Sequence, residues 1–275
     1  MKIKVFIMLA IISTSLPSEE LRWYINDFPP YSVLSGDRIG EGVVQKLISY
    51  LKTLKPEFNI TPVMANVSRI TEEFQKGHNI LYGTYRQTPE RAVYTLYTVP
   101  YLIYQSAGIL VNKNFVHRWS KYLVGKSFDL KKAFTDREFR FNVIKDVTLG
   151  SWIDDPVANA PPELLQYVNL SSDSQNAERL MGLQMGRITA IPGYEESLRM
   201  NIKSLGLPLD EFQFYPVLGS PAYQKMSLAV TKNDWGRKLV EKLNPLLINL
   251  RPAVAKDYES WISKESIERY RLEKF

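Results

Sequence analysis

Three arginines close together in the chain, Arg69, Arg86 and Arg91, are the side chains best suited to do chemistry. A guanidinium grips a planar carboxylate through two parallel hydrogen bonds, so their presence suggests anion recognition. Arg91 is the most sharply placed of the three. The apolar run Ile80 to Tyr82 stops at Gly83, Thr88 has the character of an N-cap, and Pro89 takes the first helical position, where its missing N–H costs nothing. Arg91 then falls in the first turn of a short helix, beside free backbone N–H groups. A cation there faces the like-signed end of the helix dipole, which favours an anion lying between them. Unpaired, the three cations would repel one another. Glu72, Glu73 and Glu90 are near enough in the chain to neutralise them, so for Arg69 and Arg86 pairing within the fold and ligand binding both remain open.

Other chemistry is poorly supplied. The chain has no cysteine, which removes disulfides, thiol nucleophiles and thiolate metal sites. Its two histidines, His78 and His117, stand far apart with no metal-binding spacing. No phosphate-cradling or dinucleotide motif occurs, and Asp154-Asp155 has nothing beside it to complete an acid–base or metal set. No cofactor, metal or catalytic group is therefore expected. The net charge of +6 is spread over lysines and arginines interleaved with acids, without a basic tract, so a nucleic-acid partner is not expected either.

Thr88-Pro-Glu-Arg91, followed by Tyr97-Thr-Val-Pro-Tyr101, resembles the signature of type II periplasmic solute-binding proteins of the polar amino-acid-binding class. The resemblance implies an α/β, two-lobed periplasmic binding protein-like fold, each lobe a mixed sheet flanked by helices, the two joined by crossing strands. It implies that Arg91 clamps the ligand's carboxylate, with Tyr85 and Arg86 beside it. It also implies that Phe28 and Tyr31, in the loop held extended by Pro29 and Pro30, supply an aromatic wall. From the second lobe, Gly150 and Ser151 would present backbone N–H groups and a hydroxyl. Where amino-acid binders of this family carry an ammonium-binding aspartate, this chain has Tyr194, a departure that points away from an α-amino-acid ligand and leaves Glu195 next to it as the remaining candidate for that role. A second departure is Gln45 and Lys46, early in the helix that follows the Pro29-Pro30 loop, where the family carries an acid.

The elements that must position these residues follow from pattern. Residues 1–18 have the lysines, apolar run and small residues of a secretory signal peptide, and without cysteine the exported protein would not be a lipoprotein. Strands are predicted over Leu21 to Ile25, Phe58 to Met64 and Phe139 to Val147. A helix with Val43, Val44, Leu47, Ile48 and Leu51 on one face follows the first strand, and Ser68 is expected to cap the next. Asp234 to Leu250 is a further helix. Ser106 to Asn114 and Lys225 to Asn233 both run from apolar residues into Lys-Asn, as expected of two neighbouring strands crossing between lobes. That gives a first lobe of residues 19–114 plus 225–275 and an inserted second lobe of residues 115–224. The expected role is a monomeric periplasmic protein that closes on a small anionic or zwitterionic solute for a membrane ABC permease. The rivals are a dehydratase-like enzyme on the same fold, with Glu195 as acid or base, and a ligand-binding sensor module.

Overall fold

The computed structural model describes residues 19–145, 147–168 and 173–275. The signal peptide expected over residues 1–18 lies outside them. The chain runs through β1 (Glu19–Ile25), β2 (Phe58–Met64), β3 (Ile80–Tyr82) and β4 (Thr95–Tyr97), then β5 (Leu102–Gln105) and β6 (Gly108–Asn112). A small hairpin of β7 (Leu123–Val124) and β8 (Ser127–Phe128) precedes β9 (Phe141–Ile144), β10 (Leu165–Val168), β11 (Ile191–Gly193) and β12 (Phe212–Pro216). Finally β13 (Tyr223–Met226) and β14 (Ala229–Thr231) return the chain.

The same sheet is built twice. In the first, β1 pairs in parallel with β2 and β3, and β14 lies antiparallel between β3 and β4. In the second, β9 pairs in parallel with β10, a parallel bridge from Phe141 to Ala190 joins it to the start of β11, and β6 lies antiparallel between β11 and β12. In each sheet the antiparallel strand is the one that has come over from the other half of the molecule.

The crossing itself is made by β5 and β13, paired antiparallel from Gln105 opposite Tyr223 to Leu102 opposite Met226. This corrects the expectation that Ser106 to Asn114 and Lys225 to Asn233 are neighbours. Their apolar cores, β6 and β14, are each embedded in a different sheet and buried throughout. An unbroken apolar run marks a strand covered on both faces, and that is a central strand, not the link leading to it.

Helix Val43–Leu54 buries the five residues its spacing singles out. Its start explains Gln45. The Gln45 Oε1 accepts from the N–H groups of Gly42 (3.0 Å) and Val33 (2.9 Å), while Nε2 donates to the Val33 carbonyl (3.0 Å). A carboxylate could accept these bonds but could not make the donation. Helix Val67–Gln75 is capped by Asn66, whose side chain accepts from the Arg69 N–H at 2.8 Å, and not by Ser68 as expected.

The long helix Asp234–Glu259 passes through Pro245 and Pro252 and buries Leu239, Leu243, Leu247, Leu250, Val254 and Tyr258. Among the described residues no helix is long and apolar enough to cross a membrane. Where this helix leaves β14, Gly236 packs so closely that an added Cβ would lie 1.8 Å from the Thr231 carbonyl oxygen. That oxygen belongs to backbone and cannot rotate away. Gly236→Ala is therefore expected to lower the unfolding free energy by about 3 kcal/mol. Urea unfolding checks this, and a midpoint unchanged at constant slope would contradict it.

Candidate functional site

A cleft of about 1930 Å³ separates the two halves. One wall is made by the end of β3 and the residues that follow β1 and β3, among them Phe28, Tyr82, Tyr85, Arg86 and Arg91, and the other includes Thr148, Trp152, Tyr194 and Ser197. A smaller recess of about 1000 Å³ lies on the far side of Arg86 and Arg91 and is lined in part by Ser68, Thr71, Ser151 and Asp154.

After β3 the chain turns so that the Thr88 hydroxyl oxygen accepts the Arg91 N–H at 3.2 Å, as a cap should. The helix expected here is a single 3-10 turn, Arg91–Val93, because the chain enters β4 directly afterwards. The guanidinium of Arg91 lies 3.9 Å from the centre of the Tyr85 ring and donates to the Arg86 carbonyl at 3.1 Å. Tyr85 is in turn fixed through its hydroxyl to Thr71 (2.8 Å) and Tyr94 (3.2 Å). The cation is thus held from behind by an aromatic face, which limits the ordering a ligand would have to impose.

Arg86 stands where the halves meet. It donates to the side chain of Gln224 on crossing strand β13 and lies 5.2 Å from the Trp152 ring of the opposite half. Trp152 is itself tied to the Ala107 carbonyl at 3.1 Å. Tyr82 and Tyr97 are pushed up to about 12 by burial, so both line the cleft as neutral phenols.

The other predicted site residues divide. Phe28 is half-buried and lines the cleft, its ring 5.8 Å from Tyr194, which lines it as well. Tyr31, expected on the same wall, is fully buried beneath it. Its hydroxyl is spent on Glu196 at 2.8 Å. Arg69 points outward, exposed, and is ion-paired with Glu73 (2.6 Å) and Glu72 (3.0 Å), so pairing within the fold is what the structure gives it. Glu195 is ion-paired with Arg199 at 2.6 Å and does not line the cleft.

Gly150 adopts φ +133°, a region L side chains rarely enter, and caps helix Ser151–Ala158. However, the N–H groups of Leu149 and Gly150 both donate to the Asp154 carboxylate, at 3.1 and 3.0 Å. Of the two expected donors, the Gly150 N–H is thus occupied by the helix's own side chain, and Ser151 lines the smaller recess instead of the main cleft. Burial raises the Asp154 carboxyl above its usual value, and the two N–H bonds oppose that.

Pattern reading missed Trp152 and Arg179. Trp152 directly follows the Gly-Ser pair, so its position was available in the sequence. Arg179 is buried in the cleft floor, donating to the Asn142 side chain (2.6 Å) and the Pro192 carbonyl (3.1 Å), and burial lowers it to about 10. Among the described residues, basic side chains outnumber acidic ones along the main cleft, where Arg38, Arg86, Arg91, Lys145, Arg179, Lys203 and Lys225 face Asp27 and Asp37 as the only acids. Asp27 is already committed to the Leu34 N–H and the Ser35 hydroxyl. Among the described residues no cluster of three His, Asp or Glu side chains could hold a metal.

No protein-family model matches the sequence, and no curated protein matches it by sequence. Solved structures do match. An ancestral arginine-binding protein bound to arginine superposes with a TM-score of 0.64 at 16% identity, covering 90% of this chain and 100% of that one. A histidine kinase sensor domain with similarity to periplasmic binding proteins gives 0.66 at 14% identity, covering 89% and 96%. An ancestral amino acid-binding protein, a precursor of cyclohexadienyl dehydratase, gives 0.63 at 17% identity, covering 89% and 95%. At such identities likeness speaks for architecture alone. The duplicated sheets, the paired crossing strands and these superpositions together establish that this chain has the two-lobed fold of the type II periplasmic binding proteins.

Proposed function

We propose that the protein captures a small carboxylate-bearing solute in the cleft between its lobes, unchanged chemically, and delivers it to a membrane ABC-type permease. The observation that carries this reading is Arg91, held over Tyr85 beside Arg86 in an aromatic-walled cleft that is poor in acids. A carboxylate entering there finds a prepositioned fork and little repulsion. Its apolar part would lie against Phe28, Tyr194 and Trp152. An α-ammonium group would find Tyr194 where the resembled family offers an aspartate, and Glu195 is engaged with Arg199. On this reading the ligand lacks a free α-amino group, the protein is a monomer in the periplasm, and residues 1–18 are its export signal.

A thermal-shift panel tests ligand class, because a ligand at about 100 times its dissociation constant stabilises by about 2.7 kcal/mol. Carboxylates without an α-amino group, with an aromatic or sugar portion, should give the largest shifts. If glutamine, histidine or lysine gives the largest shift instead, the inference from Tyr194 fails. Mass spectrometry of ligand released from the purified protein would name the compound, and recovery of a converted product would favour an enzyme. A sensor role is the second reading, supported by the likeness to a histidine kinase sensor domain. It uses the same cleft with a signalling membrane partner, and loss of solute uptake on deletion of the gene would argue against it.

A further inference from the structure

The residue after Glu195 is the unexpected one. Glu196, on the first turn of helix Glu195–Ser204, is turned into the molecule and is 3% exposed. This helix follows β11 and so belongs to the second sheet's half. Yet the carboxyl of Glu196 is held by the other half: Oε1 accepts from the Tyr31 hydroxyl at 2.8 Å and from the Tyr258 hydroxyl at 2.7 Å. Tyr31 comes from the loop after β1, and Tyr258 from the end of the long helix Asp234–Glu259. The neighbouring Ser197 hydroxyl donates to the Pro29 carbonyl of the same loop. Tyr258 also accepts the N–H of Gln105 on crossing strand β5, at 3.1 Å. One carboxyl therefore gathers both halves and the strand between them.

Its second oxygen, Oε2, is buried with no hydrogen-bond partner. The surroundings are rings: Tyr31 lies 5.8 Å from Tyr104, 5.9 Å from Tyr194 and 6.2 Å from Tyr258, with Tyr270 5.2 Å behind Tyr258. Among the described residues, the titratable and charged groups around this cluster are those four tyrosines, Tyr270 with Glu259 and Tyr223 beyond it, Glu195 on the same helix, and Arg86, which acts on Tyr104 and Tyr194. A carboxylate with one bare oxygen in such a place keeps its charge at high cost, whereas the neutral acid leaves only one unmet polar group.

We propose that Glu196 is a proton-operated latch between the lobes: protonated while its turn is docked on Tyr31 and Tyr258, ionised and hydrated when that turn draws away. The direction of its titration agrees. Burial raises the Glu196 carboxyl, more than the bonds from the Tyr258 hydroxyl, its own backbone N–H and the Tyr31 hydroxyl lower it. A group whose docked value is raised favours docking fully below its undocked value, near the ordinary glutamate range, and loses that contribution as pH rises through the docked value. Between the two values the ratio of docked to undocked molecules falls about tenfold per pH unit. The latch needs no ligand, so its failure would leave the solute-binding reading standing.

Because the chain has no cysteine, spin labels can be placed at will. Lys52 and Glu138 are exposed positions on opposite halves. Electron–electron distance distributions for a Lys52→Cys/Glu138→Cys protein, recorded without ligand from about pH 4 to about pH 8, read the docking equilibrium directly. The expected result is a growing second distance as pH rises, absent when Glu196→Gln is added, since glutamine stays neutral. A pH-independent distribution in the parent, or the same pH dependence in the Gln variant, would overturn the latch. Should that variant not fold, infrared spectra of the parent serve. The protonated carboxyl band of a glutamate must persist above the ordinary range and vanish with the distance change, and a band lost before the distances move would also overturn it.

Discussion

Replacing Arg91 by alanine is expected to weaken binding of the protein's carboxylate solute by about 2 kcal/mol or more, roughly thirtyfold in dissociation constant. The size follows from what is lost and what stays behind. A two-pronged, charge-assisted contact in a partly desolvated cleft disappears, and the anion is left against tyrosine rings that cannot replace a cation. The Arg91 guanidinium is already seated 3.9 Å from the Tyr85 ring centre, so little binding energy goes into arresting its motion. Arg91→Lys should also bind poorly, because a compact ammonium cannot reproduce the fork. Arg69→Ala is the control. That side chain is exposed and paired with Glu72 and Glu73, and its loss should leave affinity unchanged within about twofold. Calorimetry with the carboxylate giving the largest thermal shift decides the matter, and wild-type affinity in Arg91→Ala would remove Arg91 from the site.

What was legible in the sequence was what local chemistry determines. The Thr88 cap and the placement of Arg91 depend on a few consecutive residues, and both are found where the turn puts them. The apolar face of helix Val43–Leu54 was equally readable, since its period alone selects Val43, Val44, Leu47, Ile48 and Leu51. Glu195 and Glu196 mark the limit. Successive helical residues point about 100° apart, so a one-residue change in where the helix begins decides which carboxyl is buried. With Tyr194 as the cap, Glu195 reaches Arg199 one turn on and Glu196 goes inward to Tyr31 and Tyr258. The partners that hold Glu196 lie 165 and 62 residues away, so no local pattern announces them. Asp154 is the opposite case: its partners, the N–H groups of Leu149 and Gly150, lie only five and four residues away, so this contact at the start of the helix is local and was within reach of the sequence.

The two aromatic residues of the proline loop should separate cleanly when mutated. Tyr31→Ala is expected to destabilise the fold by about 3 to 5 kcal/mol, the range for truncating a large buried aromatic side chain. Tyr31 is 0% exposed, lies against Phe28, Tyr104, Tyr194 and Tyr258, and supplies one of the two hydroxyls on Glu196. Tyr31→Phe keeps the ring and removes only the donor, so it should cost about 1 to 3 kcal/mol, the penalty of leaving a buried acceptor less satisfied. Neither change removes a surface that a solute can touch. Phe28→Ala should behave in the opposite way, because its half-buried ring lines the cleft: stability should fall less than in Tyr31→Ala, while affinity for an aromatic or sugar-bearing carboxylate should fall clearly. Urea unfolding and calorimetry on the same proteins read both quantities. If Tyr31→Phe instead lowered affinity more than Phe28→Ala at unchanged stability, the Tyr31 hydroxyl would act on binding, either by holding the lobes together through Glu196 or by reaching the ligand, and a role confined to fold stability would be wrong.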